Sequence, residues 1–206
     1  MADWQIGDVT ITRVVEVEAA LPGGGAGSMV EKAYPDAVKE IGWNTMLVDG
    51  KWVPAFPKAC YLIGRRGWDF WATEEDDDNA PVLAGSVQPI FDAGLADLVS
   101  DDHMVCEEVR LRPTPGHTPG HVSVVISSKG ESAIITGDLM HHPCQMARAD
   151  WRSAFDSDGD MAEKTRHAFL AEMADGPTLV IGTHFATPAA GHVKRDGEGY
   201  RLEVRG

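Results

Sequence analysis

Three short strand-like runs in the second half of this chain, one alternating and two apolar, each stop at a phrase rich in glycine and in metal-ligating side-chain types. No other feature constrains the fold as much. Residues 105–112 alternate as a strand and run into PTPGHTPGH; residues 133–136 stop at GDLMHHP, and residues 179–181 stop at GTHF. Runs of Val, Ile and Thr of this length form strands, and the Gly and Pro directly after them end the pairing. His117, Asp138 and His184 therefore fall at the ends of three buried strands, where a sheet can hold them rigidly along one edge.

The surrounding pattern predicts a mixed α/β chain. Residues 9–18 place Val9, Ile11, Val15 and Val17 on one parity and Thr10, Thr12, Glu16 and Glu18 on the other, as in a half-buried strand. LPGGGAGS (21–28) reads as an internal loop, residues 35–41 as a short helix, and residues 59–63 as a short buried strand. Residues 89–99 read as a helix with Ile90, Phe91, Leu95 and Leu98 on one side. Residues 122–126 and 133–136, joined by SSKGES, predict a hairpin. Asp160 is the predicted helix start, with Glu163 in the capping-box position. Met161, Thr165, Ala168 and Phe169 are its predicted buried stripe, and Gly176-Pro177 its stop. A last pair of strands, around Val193 and over 200–204, is split by RDGEG. Strands alternating with helices over 1–206 predict one α/β (α+β) domain.

Composition narrows the partners. The chain has 206 residues, 43% of them hydrophobic, enough to bury a sizeable core. Acidic residues outnumber basic ones 32 to 18, a formal charge of −14. That field repels phosphate backbones and anionic lipid, which excludes nucleic acid and membrane surface and favours a small neutral or weakly charged substrate. The N-terminus lacks a basic segment followed by an apolar core, and no run approaches eighteen consecutive apolar residues. Cys60, Cys106 and Cys144 form no CxxC pair and read as ordinary reduced thiols, so the expected location is cytoplasmic.

Two imidazoles and a carboxylate suit zinc, iron or manganese. PTPGHTPGH (113–121), TGDLMHHP (136–143) and IGTHF (181–185) resemble the later metal-binding motifs of the metallo-β-lactamase superfamily. GWNTMLVDGKWVPAFPKACYLIG, GWDFW and AGHVKRDGEGYRL are similar to its branch of N-acyl-homoserine lactonases and methyl-parathion-type hydrolases. The resemblance implies a four-layer αββα sandwich with metals at one edge of the sheets. It also implies a hydrolase acting on a lactone, ester or phosphotriester. By it, His117 ligates one metal, Asp138 bridges two, and His184 ligates the other.

One departure from the family pattern is large. Members carry an H-x-H-x-D-H motif ahead of these phrases, supplying four ligands, and here the first histidine is His103. In the lactonase-like branch that motif stands directly before a segment resembling Gly42-Trp43-Asn44-Thr45, whereas here AYPDAVKEI runs straight into GWNT. The expectation is an internal deletion with its scar near 41–44. It would deplete the N-terminal sheet and expose edges on which copies of the chain can associate. At most one Zn (or Fe or Mn) ion is expected, held by His117, Asp138 and His184. His121 and His141 are candidates for hydrogen bonds behind those ligands. His141 and its neighbour His142 point to opposite sides of an extended segment and cannot both chelate one ion. Cys144 and His192 are the remaining candidate donors. The alternative reading is a non-catalytic domain on the same fold, or a subunit that completes its site with another chain.

Overall fold

The alternating second half of the chain folds into one six-stranded sheet of order β12-β11-β10-β9-β8-β7. Its strands are β7 (Val109–Pro113), β8 (Val122–Ser128), β9 (Glu131–Ile135), β10 (Leu179–Ile181), β11 (Ala190–Asp196) and β12 (Gly199–Glu203). The computed structural model describes residues 3–12, 45–73 and 80–204. β8 and β9 meet in a two-residue turn at Lys129 and Gly130, both with positive φ (50° and 82°), the primed geometry that matches strand twist. β10 runs parallel to β9, and β8 runs antiparallel to both β9 and β7. β7, β9 and β10 therefore point the same way, and their C-terminal ends share one edge of the sheet.

Strand pleating sorts the core onto two faces. Ile134, Val180 and Val193 point to one side and pack against Phe169, Leu170 and Met173 of helix α5 (Gly159–Met173). Ala133 and Ile181 point to the other side and pack with Ile6 and Ile126 beneath the hairpin of β1 (Asp3–Ile6) and β2 (Val9–Thr12). Each such large side chain contributes about 1.5–3 kcal/mol by leaving water. Hairpin, sheet and helix thus form three layers in this part of the chain.

The described residues fall into two compact units, and the layers above belong to the one built mainly from residues 99–206. The other holds the hairpin of β3 (Thr45–Val48) and β4 (Lys51–Pro54), and helices α2 (Ala80–Ser86) and α3 (Gln88–Asp92). There Thr45 is fully buried and its hydroxyl donates to the Gly85 carbonyl at 2.8 Å. β5 (Tyr61–Gly64) pairs with β6 (Ala96–Val99), and α1 (Arg65–Trp71) follows β5 directly. In the first half, then, the described strands sit in three two-stranded pairs.

Four expectations shift. The helix predicted over 89–99 ends at Asp92, because Gly94 adopts φ 68° and the chain then extends into β6. The strand predicted over 105–112 begins at Val109, since the amides of Val105 and Cys106 both turn back onto the Val109 carbonyl. Helix α5 is capped by Asp158, whose Oδ1 accepts from the Met161 amide at 2.9 Å, while Asp160 and Glu163 hold Arg152 instead. Its buried stripe runs through Ala162, Arg166, Phe169, Leu170 and Met173, and Met161 is exposed. Residues 13–18, the 21–28 loop, the 35–41 helix, the 41–44 scar and the acidic run 74–78 lie outside the described residues.

Candidate metal centre

The shared sheet edge brings His117, Asp138 and His184 together. His117 stands in the loop after β7, Asp138 in a 3-10 turn (Gly137–Leu139) after β9, and His184 just past β10. The Nε2 of His184 meets Oδ1 of Asp138, and the Nε2 of His117 lies 3.5 Å from Oδ2 of the same carboxylate. Asp138 and His184 are 40% and 44% exposed, so the carboxylate is open to solutes, while His117 is only 16% exposed. The hydrogen bond from His184, aided by His117, holds the Asp138 carboxyl down at about 2, against the opposing effect of burial. The same bond raises the pKa of His184. Asp138 is thus an anionic, acceptor-only group at neutral pH.

A buried polar frame fixes the ends of these strands. Thr114 bonds Ser123 (3.0 Å), whose hydroxyl donates to the Thr136 carbonyl (3.0 Å), and all three residues are almost fully buried. Nε2 of His121 accepts from the Asp138 amide at 2.8 Å, which leaves Nδ1 to carry the proton toward the Thr114 carbonyl at 2.9 Å. Burial lowers the His121 pKa, in keeping with this neutral tautomer. Gly137 adopts φ 57°, and a Cβ there would meet His121 Nε2 at 2.7 Å, so the glycine of TGD is required for this contact.

A second frame comes from residues that sequence patterning does not single out. Asp156, with a side chain 1% exposed, lies 3.2 Å from Nδ1 of His117. It faces Arg166 of α5 at 3.6 Å, and Arg166 is fully buried. Arg166 donates from Nε to the Leu139 carbonyl at 3.1 Å, and from one terminal nitrogen to the carbonyls of Ala149 and Trp151. One guanidinium therefore ties the turn that carries Asp138 to the carboxylate that orients His117. The signal for it was the spacing: Arg166 stands four residues after Ala162 and four before Leu170, in the middle of an otherwise small or apolar stripe.

The other histidines separate clearly. His141 joins Asp138 and His184 in a set whose candidate ligand atoms all lie within 4.8 Å of one another. Its ring stacks on His184 at 4.9 Å and 13°, and lies 5.2 Å from His117. His142 turns away, its Nδ1 accepting from the Cys144 amide at 3.1 Å. Cys144 opens the short helix α4 (Cys144–Ala147), and His192 lies on β11. Neither belongs to the compact set, and the three cysteines are free.

The model of the metallo-beta-lactamase superfamily matches residues 41–184. The chain belongs to that superfamily. Its mixed α/β architecture is the metallo-β-lactamase fold, and solved structures agree. AidC, a dizinc quorum-quenching lactonase, superposes with a TM-score of 0.67 at 23% identity, covering 74% of this chain and 57% of that one. AbOPH, a hydrolase in the beta lactamase superfamily, gives 0.66 at 22% identity, covering 84% and 62%. A probable metal-dependent hydrolase from Staphylococcus aureus gives 0.59 at 15% identity, covering 82% and 58%. The chain thus spans less than two thirds of each of these proteins, and at such identities the likeness is one of fold. No curated protein matches it.

A superfamily metal fits the residues present. An ionised carboxylate and two imidazoles converge, and Nδ1 of His141 is buried without a hydrogen-bond partner. A tetrahedral zinc with bonds of about 2.1 Å sets its donors roughly 3.4 Å apart, so a set 4.8 Å across can close by small side-chain rotations.

Proposed function

We propose that this metallo-β-lactamase-fold chain is a metal-dependent hydrolase of a small neutral or weakly charged lactone, ester or phosphotriester, working with one zinc, iron or manganese ion. The observation that carries the reading is the common edge of β7, β9 and β10, which gathers His117, Asp138 and His184 around one half-exposed carboxylate. Those three side chains would hold the ion. A divalent ion there supplies Lewis-acid polarisation of a carbonyl or phosphoryl oxygen and activates water near neutral pH. The protein's own part is positional. Asp156 orients His117, His121 fixes the Asp138 backbone, and the exposed faces of Asp138 and His184 admit the substrate. The charge of −14 favours a substrate without phosphate monoester or carboxylate groups. Free cysteines suit a reducing, cytoplasmic setting. Among the described residues no helix is long and apolar enough to cross a membrane.

The test is metal content by elemental analysis of protein expressed with metal supplied, paired with a lactone and phosphotriester hydrolysis screen. About one ion per chain, lost in His184→Ala together with turnover, supports the reading. No metal and no hydrolysis would sink it.

A specific observation favours a second reading, a non-catalytic or partner-completed member. The sequence has no histidine before His103, and β3 exposes Met46, Leu47 and Val48 in succession on a two-stranded pair. Exposed apolar strands of this kind invite a covering chain, either a second copy or another subunit. Sedimentation analysis with and without zinc separates this reading from an active monomer.

A further inference from the structure

We infer that His141 is itself a metal ligand, so that Asp138, His141 and His184 form a compact single-ion site in place of a site shared between two ions. The inference rests on the metal-dependent reading above and revises its ligand set, with His141 in the place given there to His117.

Three observations converge on this residue. The compact set contains His141 and does not contain His117, whose Nε2 faces the other carboxylate oxygen. Nδ1 of His141 is buried and has no hydrogen-bond partner, which for a neutral imidazole costs free energy unless something fills the position. The residue is also held in place from behind. Gln145, 6% exposed, accepts through Oε1 from the His141 amide at 2.7 Å, while its Nε2 donates to the Trp151 carbonyl at 2.8 Å. A side chain whose backbone is pinned, and whose ring stacks on His184 with a ligand nitrogen within 4.8 Å of an ionised carboxylate, is preorganised to bind a cation.

The sequence explains why such a donor matters here. The sequence has no histidine before His103, and the imidazoles that the structure gathers around Asp138 come from the loops after β7, β9 and β10. The loop after β9 offers two. His142 is used as a backbone acceptor for Cys144, which leaves His141 to serve the ion together with Asp138 three residues earlier. Three protein donors with one position left open is also the ligand count of catalytic zinc sites.

The test is titration of the whole chain with Co2+, read by its visible absorption and by stoichiometry, in wild type, His141→Ala, His142→Ala and His184→Ala. The expected result is one Co2+ per wild-type chain. His142→Ala should bind as wild type, and both His141→Ala and His184→Ala should lose more than about 100-fold in affinity, beyond what removing a supporting residue does. If His141→Ala binds like wild type while His184→Ala does not, the inference is overturned and the metal-dependent reading stands. If wild type binds no Co2+, both fall. A second measurement needs no variant. Added Zn2+ should shift the ring 15N resonances of His141 and His184 and leave those of His142 in place; an unmoved His141 overturns the inference.

Discussion

Asp156 meets Nδ1 of His117 at 3.2 Å through a carboxylate that is almost completely buried, and this contact decides which nitrogen of the ring is free. With Nδ1 donating to Asp156, Nε2 is left as the lone-pair nitrogen that faces Asp138. The relationship spans 39 residues and joins two loops that have no strand pairing between them. Backbone bonds reinforce it, from the Ser157 amide to the His117 carbonyl and from the Asp158 amide to the Gly116 carbonyl.

Asp156→Asn keeps the shape of that side chain and removes its charge. Partners of this kind behind a metal-ligating histidine typically contribute about 10–100-fold to metal affinity, so zinc binding should weaken by that range where His117 is the third ligand and stay near the wild-type level where His141 is. Competition against a chromophoric chelator measures it, and the ring 15N spectrum of His117 should show the loss of a fixed tautomer. Unchanged affinity with an unchanged spectrum would show that the contact does not orient the ring.

Arg166 and Arg152 make a controlled comparison. Both face carboxylates, but Arg166 is fully buried and bonds three backbone carbonyls, whereas Arg152 is 48% exposed on Asp160 and Glu163. Arg166→Met removes the buried counter-charge of Asp156 and takes the guanidinium donor from the Leu139 and Ala149 carbonyls, and should cost about 3–5 kcal/mol in urea unfolding. Arg152→Met should leave the urea midpoint close to that of the wild type, because water screens the exposed pair. Equal costs for the two would contradict the buried frame.

Gly137→Ala tests the turn that aims Asp138. The residue sits at φ 57°, where a Cβ costs roughly 1–2 kcal/mol, and that Cβ would press on His121 Nε2 at 2.7 Å. Stability should fall by at least that amount. Zinc affinity should fall with it, since the displaced imidazole no longer accepts from the Asp138 amide. Affinity kept at the wild-type level would separate the turn from the site.

What was legible in the sequence follows the kind of force involved. The ends of β7, β9 and β10, the turn at Lys129 and Gly130, and the β11–β12 pair could be read because alternation and turn chemistry are local. The phrases around His117, Asp138 and His184 gave the family, and the family gave the fold. Helix α5 was read with the wrong face because its stripe contains a buried arginine, and a stripe search treats arginine as a mark of the exposed side. Asp156 carried no signal at all. It lies in an irregular loop, and only tertiary contacts make it a partner of His117 and Arg166. In the sequence His141 reads only as a supporting residue, because its neighbour His142 offers the same side chain. The ring contacts resolve the two, since His142 Nδ1 accepts from the Cys144 amide while the His141 ring stacks on His184, and those contacts are visible only in three dimensions.

Metal binding should protect one part of the chain and not another. All the candidate ligands lie in the unit built mainly from residues 99–206, together with the strands that end at them. A ligand that binds only the folded form stabilises it by about 2.7 kcal/mol at a hundred times its Kd, which slows exchange through that unfolding by roughly 100-fold. Amides of β9, β10 and α5 should slow by about that factor on adding zinc. Amides of the β3–β4 hairpin, in the other unit, should exchange at their former rates if the units unfold separately. Hydrogen exchange read by mass spectrometry resolves the two sets of peptides in one experiment. Zinc-dependent slowing in both sets would mean that the chain unfolds as one cooperative block. Slowing in neither, with zinc bound, would place the ion outside the edge formed by β7, β9 and β10.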